Sequence, residues 1–565
     1  MISRQHFFQS CLAVAVLFSA FAGNRSALAD GARHHGYDAD DMGYFSPGNL
    51  LVSRVVYDNS PQNVQAGVTL LPPGCSGSAC VTATASGAYP YVWNNALADG
   101  SFGITAKIFL DQLRLTGDFI NSLEVPNSAQ RGGPRMRNQM VGSFSSKSEE
   151  ALNLSTDGRY VTFMGYLAPV DALDASNSNT PGVVDPTNLV AAQYFRVVAQ
   201  VDAHGKFRFT KTNAYSGNNG RAAILNTNNG ADLFYTVGNA GNGANPQPNG
   251  IIVAAGAQIV SASKEPEVAQ DPGLPTPVGS FSVTQLGLKV DKIGKDDNFR
   301  GLTIFNNVVY FTKGSGGKGI NSLYFIDTSG FDGHGKPLAC PNGVGLPKPF
   351  ASLPTTPIAY NAGLLQTDGV TPYNTCILKG FPTAEKSKTS FPFGIWFADA
   401  KTLYLADEGN GTNTYDVTKG MYSAAAVQAT AGLQKWVFND ASGTWQQAYT
   451  LTAGLNLGAP YTVHGYPTGN NAATSLPWSP ATDGLRNITG RVNHDGTVTI
   501  WATTSTVSGN GDEGADPNKL VAITDTLAAT ALPASESFRT LRTADFGEVL
   551  RGVSLTPGST DIARR

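Results

Sequence analysis

The sequence predicts an all-β protein: a single β-propeller of six blades, the last closed by strands from both ends of the chain. Three observations lead there. The composition favours strands and turns, a hairpin pattern recurs along the chain, and its final recurrence stops after one strand. Of 565 residues only 14% are charged, well under the roughly 25% of an average globular chain. Gly (63) and Pro (32) are abundant. Such a composition suits many short strands joined by turns rather than helices, which draw on Ala, Glu, Lys and Leu.

The recurrence begins at Glu150, Arg221, Arg300, Phe393, Arg486 and Arg551. Each start is followed by a mostly small residue and then by strand-like alternation. The first five read as hairpins, with turn chemistry at Asp157-Gly158, Asn229-Gly230, Asn306-Asn307 and Asp495-Gly496. Gly- and Asn-rich connectors follow. Further apolar strands come next, such as "SLYFID" and "KLVAITD", and fourth strands such as "GKFRFTKTN" and "TWQQAYTL". Four antiparallel strands per unit, repeated radially, make a propeller. The starts lie 65 to 93 residues apart, so the blades carry large inserts, and a seventh blade within 325–390 stays open. Arg551 opens one strand only. "NLLVSRVVYD", "AKIFLDQL" and "FINSLEVP" supply the three strands it lacks. Closing the last blade this way removes exposed sheet edges, which invite aggregation.

Gly314, Gly316 and Gly319 spell G-x-G-x-x-G after a strand. A dinucleotide fingerprint needs a helix next, whose N-terminus holds the pyrophosphate. Strand-like "SLYFID" follows instead, so no nucleotide cofactor is expected.

Residues 1–29 read as a signal peptide: Arg4, an apolar run from Cys11 to Gly23, then Ala27-x-Ala29 with cleavage between Ala29 and Asp30. That run is too short for a membrane-spanning helix, which needs about 20 residues. A flexible tail over 30–46 and the propeller over 47–565 follow. The expected location is secreted or periplasmic. Cys75, Cys80, Cys340 and Cys376 would remain after cleavage. An even count in an oxidising compartment favours disulfides, most economically Cys75–Cys80 and Cys340–Cys376. The rival, a four-thiolate zinc site, lacks the usual C-x-x-C pairs. The net charge is −3 with no basic block, which argues against nucleic-acid binding. No membrane association is expected, and the protein reads as a monomer.

Propeller topology gathers the six starts at one mouth of the central channel, and four of them are Arg. Guanidiniums packed together need an anion or nearby carboxylates, because Arg does not readily lose its proton. Arg221, Arg300, Arg486 and Arg551 are therefore candidates to bind a small anionic or sugar-derived ligand through forked hydrogen bonds. The competing role for each Arg is a staple to an acid of a neighbouring blade, drawn from Glu149, Glu150, Asp296, Asp297, Asp407 and Glu408. Glu150, Glu408 and His464 are the candidates for acid–base chemistry; His464 is the one histidine in a connector of that face. His204, His334 and His494 fall in solvated turns, and His34 and His35 in the tail. The acidic loops 407–416 and 509–518 offer oxygen ligands that suit Ca²⁺, with Asp407 and Glu408 as the named candidates.

The units "RGLTIFNNVVYFTKG" and "FGIWFADAKTLYLADEGNG" resemble those of the six-bladed propeller superfamily, which includes NHL-repeat proteins, gluconolactonase-type lactonases and β-propeller phytases. The resemblance covers most of the chain at blade level. The lactonases' metal set of a Glu, two Asn and an Asp is echoed by Glu150 and by Asp407 or Glu408, while the asparagines fall out of register. Two readings follow. One is an exported hydrolase of an ester, lactone or phosphate ester, assisted by a metal such as Ca²⁺. The other is a non-catalytic propeller that binds a partner protein or a glycan.

Overall fold

Strand pairing in the computed structural model gives six large sheets, their main strands antiparallel, and two small two-stranded ones. It describes residues 43–71, 73–83, 103–130, 138–146, 148–182, 184, 188–239, 256–262, 267–268, 298–314, 320–355, 374–384, 390–472, 474–509 and 514–559. Strands hold 46% of the chain and helices 3%, as an all-β reading requires.

Blade 1 comprises Asn153–Leu154, Tyr160–Tyr166, Arg196–Asp202 and Phe207–Thr212. Blade 2 comprises Gly220–Asn226, Leu233–Gly238 and Ala257–Ser261. Blade 3 takes Phe299–Phe305, Val308–Lys313, Ser322–Ile326 and Thr375–Leu378. Blade 4 takes Pro392–Asp399, Thr402–Asp407, Gly432–Asn439 and Thr444–Leu451. Blade 5 takes Ala481–Val492, Thr497–Val507, Lys519–Thr526 and Arg539–Thr543. Blade 6 joins Glu548–Leu555 to Leu50–Val56, Thr105–Leu113 and Phe119–Glu124. The first strand of each blade lies beside that of the next, and blade 6 meets blade 1. The ring is closed, with six members.

The local chemistry explains the hairpins. Asn306 and Asn307 both take positive φ, 47° and 58°, as a two-residue type I′ turn demands. β-Branched and aromatic residues fill the strands on either side, and both strands are buried. Closure of blade 6 is an aliphatic zipper. Leu50 faces Leu555, Val52 faces Val553, and Leu50 also faces Leu113 on its other side. All five are buried, each worth about 1.5–3 kcal/mol relative to exposure.

Two expectations are corrected. No seventh blade lies within the described part of 325–390. Val344–Gly345 and Thr375–Leu378 extend blade 3 instead, held by the Cys340–Cys376 disulfide, with a Cα–Cα distance of 5.9 Å. Blade 2 shows three strands among the described residues rather than four. The chain beyond it returns to blade 1, where Glu267–Val268 pairs in parallel with Phe207–Thr212. The glycine run after Lys313 leads into the strand Ser322–Ile326; residues 315–319 lie outside the described set. Cys75 and Cys80 form the second disulfide. Residues 1–42, and with them the signal peptide, its cleavage site, His34 and His35, also lie outside it. Phe45, assigned by sequence to the tail, is buried, and its N–H donates to the Ala203 carbonyl at 2.9 Å. Among the described residues no helix is long and apolar enough to cross a membrane.

Polar staples reinforce the apolar contacts between blades. Lys435 of blade 4 meets Asp525 of blade 5 at 2.9 Å, both side chains fully buried. The Tyr404 and Tyr449 hydroxyls donate to the same carboxylate. Arg542 of blade 5 reaches Asp111 of blade 6 at 2.6 Å, beside the Arg54–Asp111 pair.

Candidate functional site

The six predicted starts do converge, each held by its neighbours' backbones. Gly301 sits against the Phe393 carbonyl, where a Cβ would come to 1.9 Å. Gly552 sits likewise against the Glu150 carbonyl, at 2.3 Å. Small residues after the starts thus let first strands approach one another. A hydroxyl on the second strand completes the joint. Thr312 Oγ1 accepts from the Gly301 N–H and donates to the Phe393 carbonyl. Thr503 does the same between Asn487 and Arg551, and Ser53 between Gly552 and Glu150.

The arginines divide into two groups. Arg300 Nη1 lies 3.3 Å from Glu408 Oε1, and Arg486 Nε lies 3.2 Å from Glu408 Oε2. One carboxylate therefore bridges blades 3 and 5. Arg300 also stacks over Phe393, 5.4 Å from the ring centroid. Arg221 donates to the Phe299 carbonyl at 2.9 Å and to Asn298, while its buried Nε has no partner among the described residues. Burial and the neighbouring Arg300 charge hold Arg221 well below the usual guanidinium range, and Glu408 and Glu149 offset only part of this. Burial also lowers Arg300. Arg551 Nη2 donates to the carbonyls of Phe144 and Gly514. A pocket of about 250 Å³ opens beside Arg300, Glu408, Arg486, Asp483 and Ser505.

Two consecutive glutamates behave differently. Glu149 accepts from the Ser143 N–H at 3.0 Å, from Asn219 Nδ2 at 3.2 Å and from the Tyr166 hydroxyl. Glu150 is fully buried, and neither carboxyl oxygen has a hydrogen-bond partner among the described residues. Its φ is +61°, a conformation that costs a residue with a long side chain about 1–2 kcal/mol. Burial pushes its carboxyl up to about 8, with Arg551 pulling down and Glu149 pushing up.

The remaining candidates sit elsewhere. Asp407 is adjacent to Glu408 in sequence, but its carboxylate accepts from Ser390, the Phe391 and Gly409 N–H groups and Gln434. Burial holds it near 6 despite these donors. His464 is exposed, and its carbonyl accepts from the Phe546 N–H; its ring makes no hydrogen bond among the described residues. His204, His334 and His494 are exposed turn residues. Asp296 and Asp297 lie outside the described set, as do residues 510–513 of the second acidic loop. Among the described residues no three His, Cys, Asp or Glu come close enough to hold a metal.

Sequence reasoning missed Arg196. It is fully buried, stacks over Tyr166 at 5.1 Å and donates to the carbonyls of Tyr194, Ser176, Ser178 and Asn218. Backbone acceptors leave no signature in a sequence.

No family model and no curated protein matches the chain. Among solved structures, the Pyrococcus horikoshii acylaminoacyl peptidase in an orthorhombic crystal form is similar over 71% of this chain and 53% of its own, at 10% identity and a TM-score of 0.21. An acylaminoacyl peptidase bound to Z-Gly-Gly-Phe-chloromethyl ketone matches over 73% and 55%, at 10% identity and a TM-score of 0.20. The chain spans about half the length of these proteins. The six-bladed ring is established by strand pairing alone.

Proposed function

We propose that the arginine-lined mouth binds a small molecule bearing a carboxylate, sulfate or phosphate, and that the protein is an exported hydrolase of esters, lactones or phosphate esters. The observation that carries this reading is the cluster of guanidiniums beside the pocket. Three buried guanidiniums, Arg221, Arg300 and Arg486, gather around one carboxylate, Glu408. Charges removed from water need compensation, and here three guanidiniums are concentrated beside the pocket. An anion seated beside Arg300 and Arg486 would supply it through charge-assisted hydrogen bonds.

Glu150 supports catalysis rather than binding alone. A buried carboxyl with no hydrogen-bond partner among the described residues, raised towards neutrality, suits proton transfer at neutral pH. Its strained backbone points the same way, because such strain concentrates at functional sites. Calcium fits poorly at Asp407 and Glu408: one carboxylate is already held by four donors, and the other by two guanidiniums. The two disulfides suit an oxidising compartment outside the cytoplasm.

Thermal unfolding of the protein with sulfate, phosphate or citrate tests the anion. A ligand at 100 times its Kd raises stability by about 2.7 kcal/mol, and Arg300→Ala with Arg486→Ala should abolish that rise. A screen of lactones, aryl esters and phosphate esters tests the chemistry. Binding without turnover on any of them would favour the non-catalytic reading.

A further inference from the structure

A second pocket, of about 440 Å³, lies between blades 3 and 4 at the opposite ends of the first strands from Arg300 and Phe393. Aromatic rings form its floor. Phe305 and Phe397 stack at 4.6 Å across the blade boundary, Tyr310 packs on Phe397 at 4.8 Å, and Trp445 meets Phe397 edge-on at 6.0 Å. Tyr310 and Trp445 are each more than nine-tenths buried and line the pocket. Among the described residues, neither the Tyr310 hydroxyl nor the Trp445 indole N–H has a hydrogen-bond partner. Both groups therefore have hydrogen bonds to offer a ligand.

The rest of the lining defines its chemistry. Lys348 stands at the pocket wall with no acidic partner among the described residues, and Asn306 and Asn307 place two exposed amides beside it. Among the described residues no Asp or Glu lines the pocket, so they offer an amine no counter-charge. The ligand needs an apolar face for the rings and several oxygens for the donors. It also has to fit a volume typical of small-molecule sites, about 300–1,000 Å³.

We propose that this pocket is a carbohydrate site, separate from the arginine mouth. It takes a sugar ring on the aromatic floor, with hydroxyls on Tyr310 and Trp445 and an acidic substituent of the sugar on Lys348. Each side chain then makes the contact its chemistry allows: the indole N–H only donates, the phenol donates or accepts, and the ammonium only donates.

Titration calorimetry of the full chain with digalacturonate, cellobiose and benzoate tests this. Digalacturonate is expected to bind more tightly than cellobiose, and benzoate not measurably. Lys348→Ala should weaken digalacturonate about tenfold, the factor that one charge-assisted hydrogen bond provides, and leave cellobiose unchanged. Tyr310→Phe should weaken both sugars about fivefold or more without lowering the melting temperature. The proposal is overturned if neither sugar binds, if benzoate binds as tightly, or if Arg300→Ala removes sugar binding while Tyr310→Phe does not. The last result would place the sugar at the mouth and leave the anion reading standing.

Discussion

The hydroxyl of Thr312 donates a 2.6 Å hydrogen bond to the carbonyl of Phe393 in the next blade. That bond fixes the residue whose ring underlies Arg300, so a structural contact also positions the mouth. Thr503 and Ser53 hold Arg551 and Glu150 in the same way. Replacing Thr312 by Val keeps the shape and strands two buried groups, the Gly301 N–H and the Phe393 carbonyl. The expected loss is about 1–3 kcal/mol, read from urea unfolding. Thr524→Val, at an exposed position, should stay within about 0.5 kcal/mol of the parent.

Glu150 makes stability depend on pH. Its folded-state value, about 8, lies above the ordinary 4.5, because burial penalises the charged form. The folded state holds a proton that the unfolded state releases. The stabilisation is thus complete below about pH 4.5 and declines, by a few kcal/mol, as pH rises to about 8. Glu150→Gln mimics the protonated acid and should flatten that decline in melting temperature. An unchanged slope would mean that the carboxyl is already ionised at low pH.

Lys435 and Asp525 are both fully buried. Asp525→Ala leaves a buried ammonium without its counter-charge, and should cost about 3–5 kcal/mol. Lys435→Met combined with Asp525→Leu should cost less than the single change, since both charges leave together. Chemical denaturation of the three proteins would show the order.

The Cys340–Cys376 disulfide spans 36 residues, and the Cys75–Cys80 disulfide spans 5. Loop-closure entropy assigns about 4 kcal/mol to the first and about 2 kcal/mol to the second. Paired Cys→Ala changes, followed by calorimetry, should therefore lower the melting point more at 340 and 376. Equal effects would put the stabilisation in local packing instead.

The ring was legible in the sequence because a propeller repeats its signals. Arg300 with Gly301 and Arg551 with Gly552 mark first strands that need close approach, and the lone strand at Arg551 pointed to closure by Leu50–Val56. Pairing was harder to read. Arg300 and Arg486 share Glu408 across two blades, and no spacing along the chain encodes that. Asp407 read as a calcium ligand or a partner for an Arg, yet backbone N–H groups claim it. The edge of blade 3 escaped prediction because Thr375–Leu378 returns after a long insert. The aromatic pocket escaped as well, since Tyr310 and Trp445 read as ordinary strand residues.

Ser53 and Gly552, bonded at 2.7 Å, are 499 positions apart in the chain. At ribosomal speeds of about 5–20 residues per second, the strand around Ser53 waits on the order of a minute for its partner to be synthesised. Throughout that interval an apolar strand presents bare amides to any passing chain. Until the far end of the chain is delivered, that edge of the closing blade stays open to pairing with other chains.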